Sequence, residues 1–209
     1  MTQLKLNIYK GTRGGRRPGS GRKRIHSRGV AHRTREKVNG KTPLHINFRV
    51  KTSIRNKECL KILKKAIKNA RSQGIRILHF SLESNHVHLI IEATSNQILT
   101  KGMRSFTITF AKGINKGRIQ FERYHLHVLK TLRETRNAIH YVLFNHQKHT
   151  GLKTAYVSTY SSLGVIKNLK ELAKEMRMTV VLRGIPDLNF LDDPRSWLAK
   201  KSLNLQLIC

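Results

Sequence analysis

The sequence is short of acids, cysteines, aromatics and long apolar runs, and each shortage removes a class of protein. Only 11 Asp and Glu stand against 42 Lys and Arg in 209 residues, a formal net charge of +31. Such an excess repels itself in a compact chain and is relieved by a polyanion, which releases its condensed counterions on binding. Nucleic acid is therefore the expected partner. Cys59 and Cys209 have no CxxC spacing, which speaks against a disulfide framework and a cysteine-based zinc site and leaves Cys59 to helix packing. No stretch approaches the roughly 18 consecutive apolar residues of a membrane helix. The first residues, Met1-Thr2-Gln3-Leu4-Lys5-Leu6-Asn7, hold no apolar core of signal-peptide length. A cytoplasmic protein with no membrane contact is expected. Aromatics make up 6% of the chain, so recognition should rest on phosphate and shape more than on stacking platforms. The 38% hydrophobic content still suffices for one real core.

The charge is unevenly placed. Residues 1–43 carry 13 Lys and Arg and one acid, net +12, and residues 44–209 carry the remaining +19. Gly11 to Arg24 is dense in Gly and lacks apolar residues, so it cannot nucleate a core. It reads as a flexible basic arm over 1–43, in which Arg13, Arg16, Arg17, Arg22, Lys23 and Arg24 are placed to lie along phosphates or enter a narrow minor groove. The plainer alternative is a solvated tail. Residues 44–150 form the expected folded domain and residues 151–209 an extension without an assigned role.

Regular structure begins after Pro43. His45 to Lys51 alternates polar and apolar residues, the period of a strand with one buried face. Cys59, Leu60, Ile62, Leu63, Ala66, Ile67 and Ala70 recur at helical spacing until Gly74. Two strands, Ile75–Glu83 and His86–Glu92, flank a Ser-Asn turn. A second helix is expected over 97–116 and a fourth strand within 118–130. The order β-α-β-β-α-β predicts an α+β, ferredoxin-like split-βαβ fold, with two helices on one face of an antiparallel sheet and the other face open. A further helix follows, capped by Thr131 and Glu134 in a capping box and running to about His149. A short helix over 166–177 and a strand at Thr179–Leu182 are expected in the tail.

In the third strand His86 and His88 share one face, while Val87, Leu89 and Ile91 point to the core. Two imidazoles on an open face are a possible metal site, or simply two half-exposed histidines. On the capped helix, Tyr141 and Asn145 are one turn apart, opposite the stripe Ile139, Val142 and Leu143. A tyrosine nucleophile and an amide ligand on one helix, near a His pair, would make a site. Tyr on a helix more often packs or faces solvent, so only the combination carries weight. His125-Leu126-His127 repeats the His pattern, and Tyr124 rivals Tyr141 but has Val128 rather than an amide four residues on.

At these residues the chain resembles the single-tyrosine HUH transposases, in which U is hydrophobic, and especially their REP-associated branch. The matching pieces are Asn85-His86-Val87-His88-Leu89-Ile90, Phe121-Glu122-Arg123-Tyr124-His125, and Ala138 to His149 around Tyr141. The Gly-rich arm resembles that of a bacterial subgroup, so the likeness covers roughly residues 11–150. It implies His86, His88 and Asn145 as ligands of Mg²⁺ or Mn²⁺ and Tyr141 as the nucleophile. The implied product is a 5′-phosphotyrosine with a free 3′-OH, at hairpin or single-stranded DNA, by a monomer or homodimer. It also prefers His86 and His88 over the 125/127 pair, and gives His125 a phosphate contact. Arg104, Arg123 and Arg133, with neighbouring cations, supply candidate DNA contacts before and into the tyrosine helix. Two other readings stay open: a non-catalytic split-βαβ nucleic-acid-binding module, and a domesticated transposase that is no longer mobile.

Overall fold

The computed structural model describes residues 36–115, 123–150, 154–156, 160–162, 179–181 and 191–204. The basic arm with Arg13, Arg16, Arg17, Arg22, Lys23 and Arg24, the helix expected at 166–177, and Cys209 lie outside them. The strict alternation after Pro43 becomes β1 (Leu44–Arg49), followed by α1 (Lys57–Arg71), β2 (Arg76–Leu82), β3 (His86–Glu92), α2 (Asn96–Asn115) and β4 (His125–Val128). Asn56 caps α1 by accepting from the Cys59 N–H at 2.7 Å, and Gly74 leaves the helix end at φ 92°, a left-handed conformation that suits glycine.

The strands pair antiparallel in the order β2-β3-β1-β4, the split-βαβ arrangement that the sequence pattern predicts. The main core lies between the sheet and the α1/α2 layer. It takes Leu44, Ile46 and Phe48 from β1, Leu63 and Ile67 from α1, and Phe106 and Phe110 from α2. Phe48 meets the edges of both α2 rings, at centroid distances of 5.5 and 6.1 Å. Cys59 is buried and free, as a packing residue.

One irregularity in β2 matters for the opposite face. Ile77 pairs with Ile91 and His79 with Ile90, so Leu78 is an extra residue in a bulge. Without it Ile77 and Phe80, three apart, would point to opposite faces. With it both reach the core and His79 turns away, toward the side where α3 (Leu132–Leu143) packs. That side is not fully open, contrary to expectation: α3 lies on β2 and β3, and α5 (Trp197–Asn204) packs on α3. The capping box is formed as expected, with Glu134 N–H donating to Thr131 Oγ1 at 3.1 Å and the Glu134 carboxylate accepting from Lys130 and Thr131 N–H. Those two backbone bonds lower the Glu134 pKa. The helix ends sooner than expected, at Leu143. Phe144 (φ −106°, ψ 16°) interrupts it and buries its ring, and α4 (Asn145–Thr150) starts afresh. β5 (Thr154–Tyr156) and β6 (Thr179–Val181) form a small parallel pair.

The tail also covers the free edge of β2. The Leu82 N–H donates to Tyr160 O at 2.7 Å, the Phe80 N–H to Ser162 Oγ at 3.0 Å, and the Asp192 N–H to Ile77 O at 2.9 Å. An uncovered edge strand invites pairing with other chains, and these contacts satisfy its backbone. Under this cover His79 is 1% exposed, its Nδ1 3.2 Å from Ser162 Oγ, and burial lowers its pKa from 6.5 to about 4. Because the unfolded chain takes up this proton near 6.5 and the folded chain only near 4, stability falls as pH drops through that window. At pH 5 the expected loss from this residue is about 2 kcal/mol relative to pH 7. Urea unfolding at the two pH values checks it: His79→Leu should show a correspondingly shallower loss, and an unchanged pH slope would refute the assignment.

Candidate active site

The sheet face turned toward α3 carries rows of polar side chains. In register across the strands, His125, Asn47, His88 and Ser81 form one row, and His127, His45, Ile90 and His79 the next. Directly paired residues project to the same face. His86 and His88 therefore stand together on the α3 side, as their spacing requires, while Val87, Leu89 and Ile91 join the core.

Each imidazole is held by a defined partner. His86 Nδ1 lies 2.8 Å from Asn85 Oδ1, which can only accept, so the ring proton sits on Nδ1. Its Nε2 is then a lone pair, and it faces Asn145 Nδ2 at 3.2 Å. His88 Nδ1 lies 3.1 Å from His45 Nε2, with the rings stacked at a centroid distance of 5.2 Å. Burial, aided by the nearby His127, lowers the His45 pKa to about 4, so His45 is neutral at pH 7.

The tyrosine helix completes the group. Tyr141, 37% exposed, sets its ring edgewise to His88 at 5.2 Å and to His45 at 6.1 Å. Asn145 does not share that exposure as the helical wheel suggested. The break at Phe144 turns it inward, it is fully buried, and its Oδ1 has no hydrogen-bond partner among the described residues. Asn47 Oδ1, on β1 beside His88, is buried in the same condition. The turn into α4 is pinned by the buried Glu83, whose Oε2 sits 3.2 Å from His146 Nδ1 and 3.4 Å from Arg55 Nη1. Its Oε1 accepts from Ser81 Oγ, and its backbone N–H donates to His86 O. The hairpin bearing His86 and the turn bearing Asn145 are thereby tied together.

This donor set fits a divalent cation. Among the described residues no cluster of three His, Cys, Asp or Glu side chains is arranged to hold a metal, and the oxygen donor beside the His pair is the Asn145 amide. Half a turn of the Asn145 amide exchanges its nitrogen and oxygen. Oδ1 would then face the His86 Nε2 lone pair, an arrangement of two acceptors that a cation between them relieves.

The other candidates are distributed differently. His125 and Arg123 are exposed at the start of β4, and Arg133 is exposed in the first turn of α3, all within the layers that build the site. Arg104 is exposed on α2, so the sheet separates it from Tyr141. Tyr124 is partly buried and packs against the main core. Sequence reasoning missed His45, Asn47, Glu83 and His146. The polar alternates of β1 were a signal, but nothing local told which strand face the tyrosine helix would cover.

Residues 41–129 match the family model described as "Transposase IS200 like", a stretch that holds His86 and His88 and stops before α3. None of the curated proteins matches the chain. Among solved structures, a REP-associated tyrosine transposase bound to a REP hairpin is similar at 16% identity, with a TM-score of 0.55, over 80% of this chain and 100% of that one. That likeness is one of fold.

Proposed function

We propose that this chain, which belongs through residues 41–129 to the IS200-like transposase family, is a metal-dependent single-strand DNA nickase and strand transferase that uses Tyr141 at hairpin or palindromic DNA ends. The observation that carries the reading is the meeting of two distant segments: the Tyr141 ring lies 5.2 Å from His88, and the Asn145 amide 3.2 Å from His86. A binding module has no need of that convergence. The net charge of +31 supports a DNA partner, and the solved neighbour is bound to a REP hairpin on a similar fold.

His86, His88 and Asn145 would hold Mg²⁺ or Mn²⁺, which when bound supplies positive charge against the non-bridging oxygens of the scissile phosphate. Tyr141 supplies the phenolic oxygen that bonds to phosphorus as the bond to the 3′ oxygen breaks, the phenol losing its proton and the 3′ oxygen gaining one. The product keeps a phosphodiester linkage, so a later 3′-OH can reverse the step and join new ends. Arg123, His125 and Arg133, all exposed, would contact phosphates leading to the site, and Arg104 would contact DNA that reaches the other layer.

His45 has a positioning role. With its Nε2 accepting a hydrogen bond from His88 Nδ1–H, it would fix the tautomer that leaves His88 Nε2 as a ligand. His45→Phe, which keeps a ring but no acceptor, should weaken Mn²⁺ binding about 10- to 100-fold by calorimetry. His45→Gln, which keeps an acceptor, should recover most of it. Equal loss in both variants would point to packing alone. The function itself is tested by incubating the chain with labelled hairpin DNA and Mn²⁺. A protein–DNA adduct that survives denaturation is expected, and its absence under every metal and hairpin tried would leave the binding module as the better reading.

A further inference from the structure

The only tryptophan of the chain, Trp197, is 66% exposed, the most exposed large apolar side chain among the described residues. It opens α5, in which Ala199 and Ser202 are buried among the described side chains. The start of α5 is held firmly. Glu92, buried at the end of β3, accepts from the backbone N–H of Arg195 at 2.9 Å and of Ser196 at 2.8 Å. Ser196 caps the helix through a bond from the Ala199 N–H at 3.3 Å. Just upstream, buried Asp192 pairs with Arg71 at 2.6 Å and accepts from the Ile77 N–H at 3.0 Å. Two buried carboxylates thus fix a short helix whose first residue shows an indole to solvent.

The surroundings of that indole are basic. At helical spacing Lys200 and Lys201 fall one turn from Trp197, on the exposed side, and Arg195 is exposed just before it. Indole faces bordered by cations are the means by which proteins hold unpaired bases irrespective of sequence. We propose that Trp197, with Arg195, Lys200 and Lys201, is a stacking site for an unpaired nucleotide of single-stranded DNA.

The topology sets where that strand would run. Glu92 lies six residues along β3 from His86 and four from His88, so the start of α5 sits at the end of the sheet, roughly 13–20 Å along the strand from the His pair. α3 begins at this same end, because Leu44 pairs with both Ile91 and Val128, and it runs toward Tyr141. Along it Arg133, Asn137 and Tyr141 are exposed at successive i, i+4 positions. The stacking site would anchor a strand whose next phosphates follow that stripe to the nucleophile. The inference rests on the DNA-processing reading and gives the C-terminal extension a share in it.

With one tryptophan in the chain, intrinsic fluorescence reports the site directly. Titrating the full chain with oligothymidine should quench the emission. In anisotropy with labelled DNA, Trp197→Ala should weaken binding of a hairpin carrying a single-stranded tail about ten-fold and leave the blunt hairpin within about two-fold; Trp197→Phe should fall between. DNA binding without quenching and without an effect of Trp197→Ala would sink this inference alone. Absence of any DNA binding would sink the parent reading with it. A Trp197-dependent rise in mass by light scattering, with DNA affinity unmoved, would assign the face to a second copy of the chain instead.

Discussion

Tyr141→Phe is expected to bind hairpin DNA as the unchanged chain does and to form no covalent adduct, with cleavage reduced at least about 10⁴-fold. The substitution removes one oxygen and keeps the ring that packs edgewise against His88 and His45 at 5.2 and 6.1 Å. Because Tyr141 is 37% exposed and α3 is anchored instead by Ile139, Val142 and Leu143, folding should be unaffected. Denaturing electrophoresis of the protein–DNA mixture reads the result. An adduct persisting in Tyr141→Phe would move the nucleophile elsewhere, and Tyr124, packed against the core, is badly placed to take over.

The second large effect separates the two His-hydrophobic-His pairs. His86→Ala should lower Mn²⁺ affinity by about 10²-fold or more and cut adduct formation in step, because it deletes the lone pair that faces the Asn145 amide at 3.2 Å. His125→Ala should leave Mn²⁺ affinity within about three-fold and weaken DNA binding modestly, since His125 is exposed on β4, while the tyrosine helix meets the His86/His88 pair. Calorimetry with Mn²⁺, supported by a thermal melt of each variant, decides between them. Equal losses in both variants, or loss only with His125→Ala, would overturn the ligand assignment.

Much of the fold is legible in local pattern because local physics imposes it. Alternation in His45 to Lys51 makes β1, the spacing of Cys59 to Ala70 makes α1, and the Thr131/Glu134 pair makes the start of α3. The common face of His86 and His88 follows from the two-residue period of a strand. The inward turn of Asn145 does not follow from helical spacing, because it depends on Phe144 finding a buried place and on Glu83 holding His146 at 3.2 Å. The bulge at Leu78, which turns His79 away from the core, depends on the pairing of β2 with β3.

By itself, then, the sequence determined the strongly positive charge, the βαββαβ order and the residue types available for chemistry, since charge, periodicity and capping act over a few residues. Only the tertiary structure decided which His pair meets the tyrosine, that His45 and Asn47 stand beside it, and that the tail seals β2 and presents Trp197. Those outcomes depend on contacts between segments far apart in the chain, such as His45 with His88, 43 residues apart, and Glu92 with Ser196, 104 apart. No local period records them, because they form only when the packed layers bring the segments together.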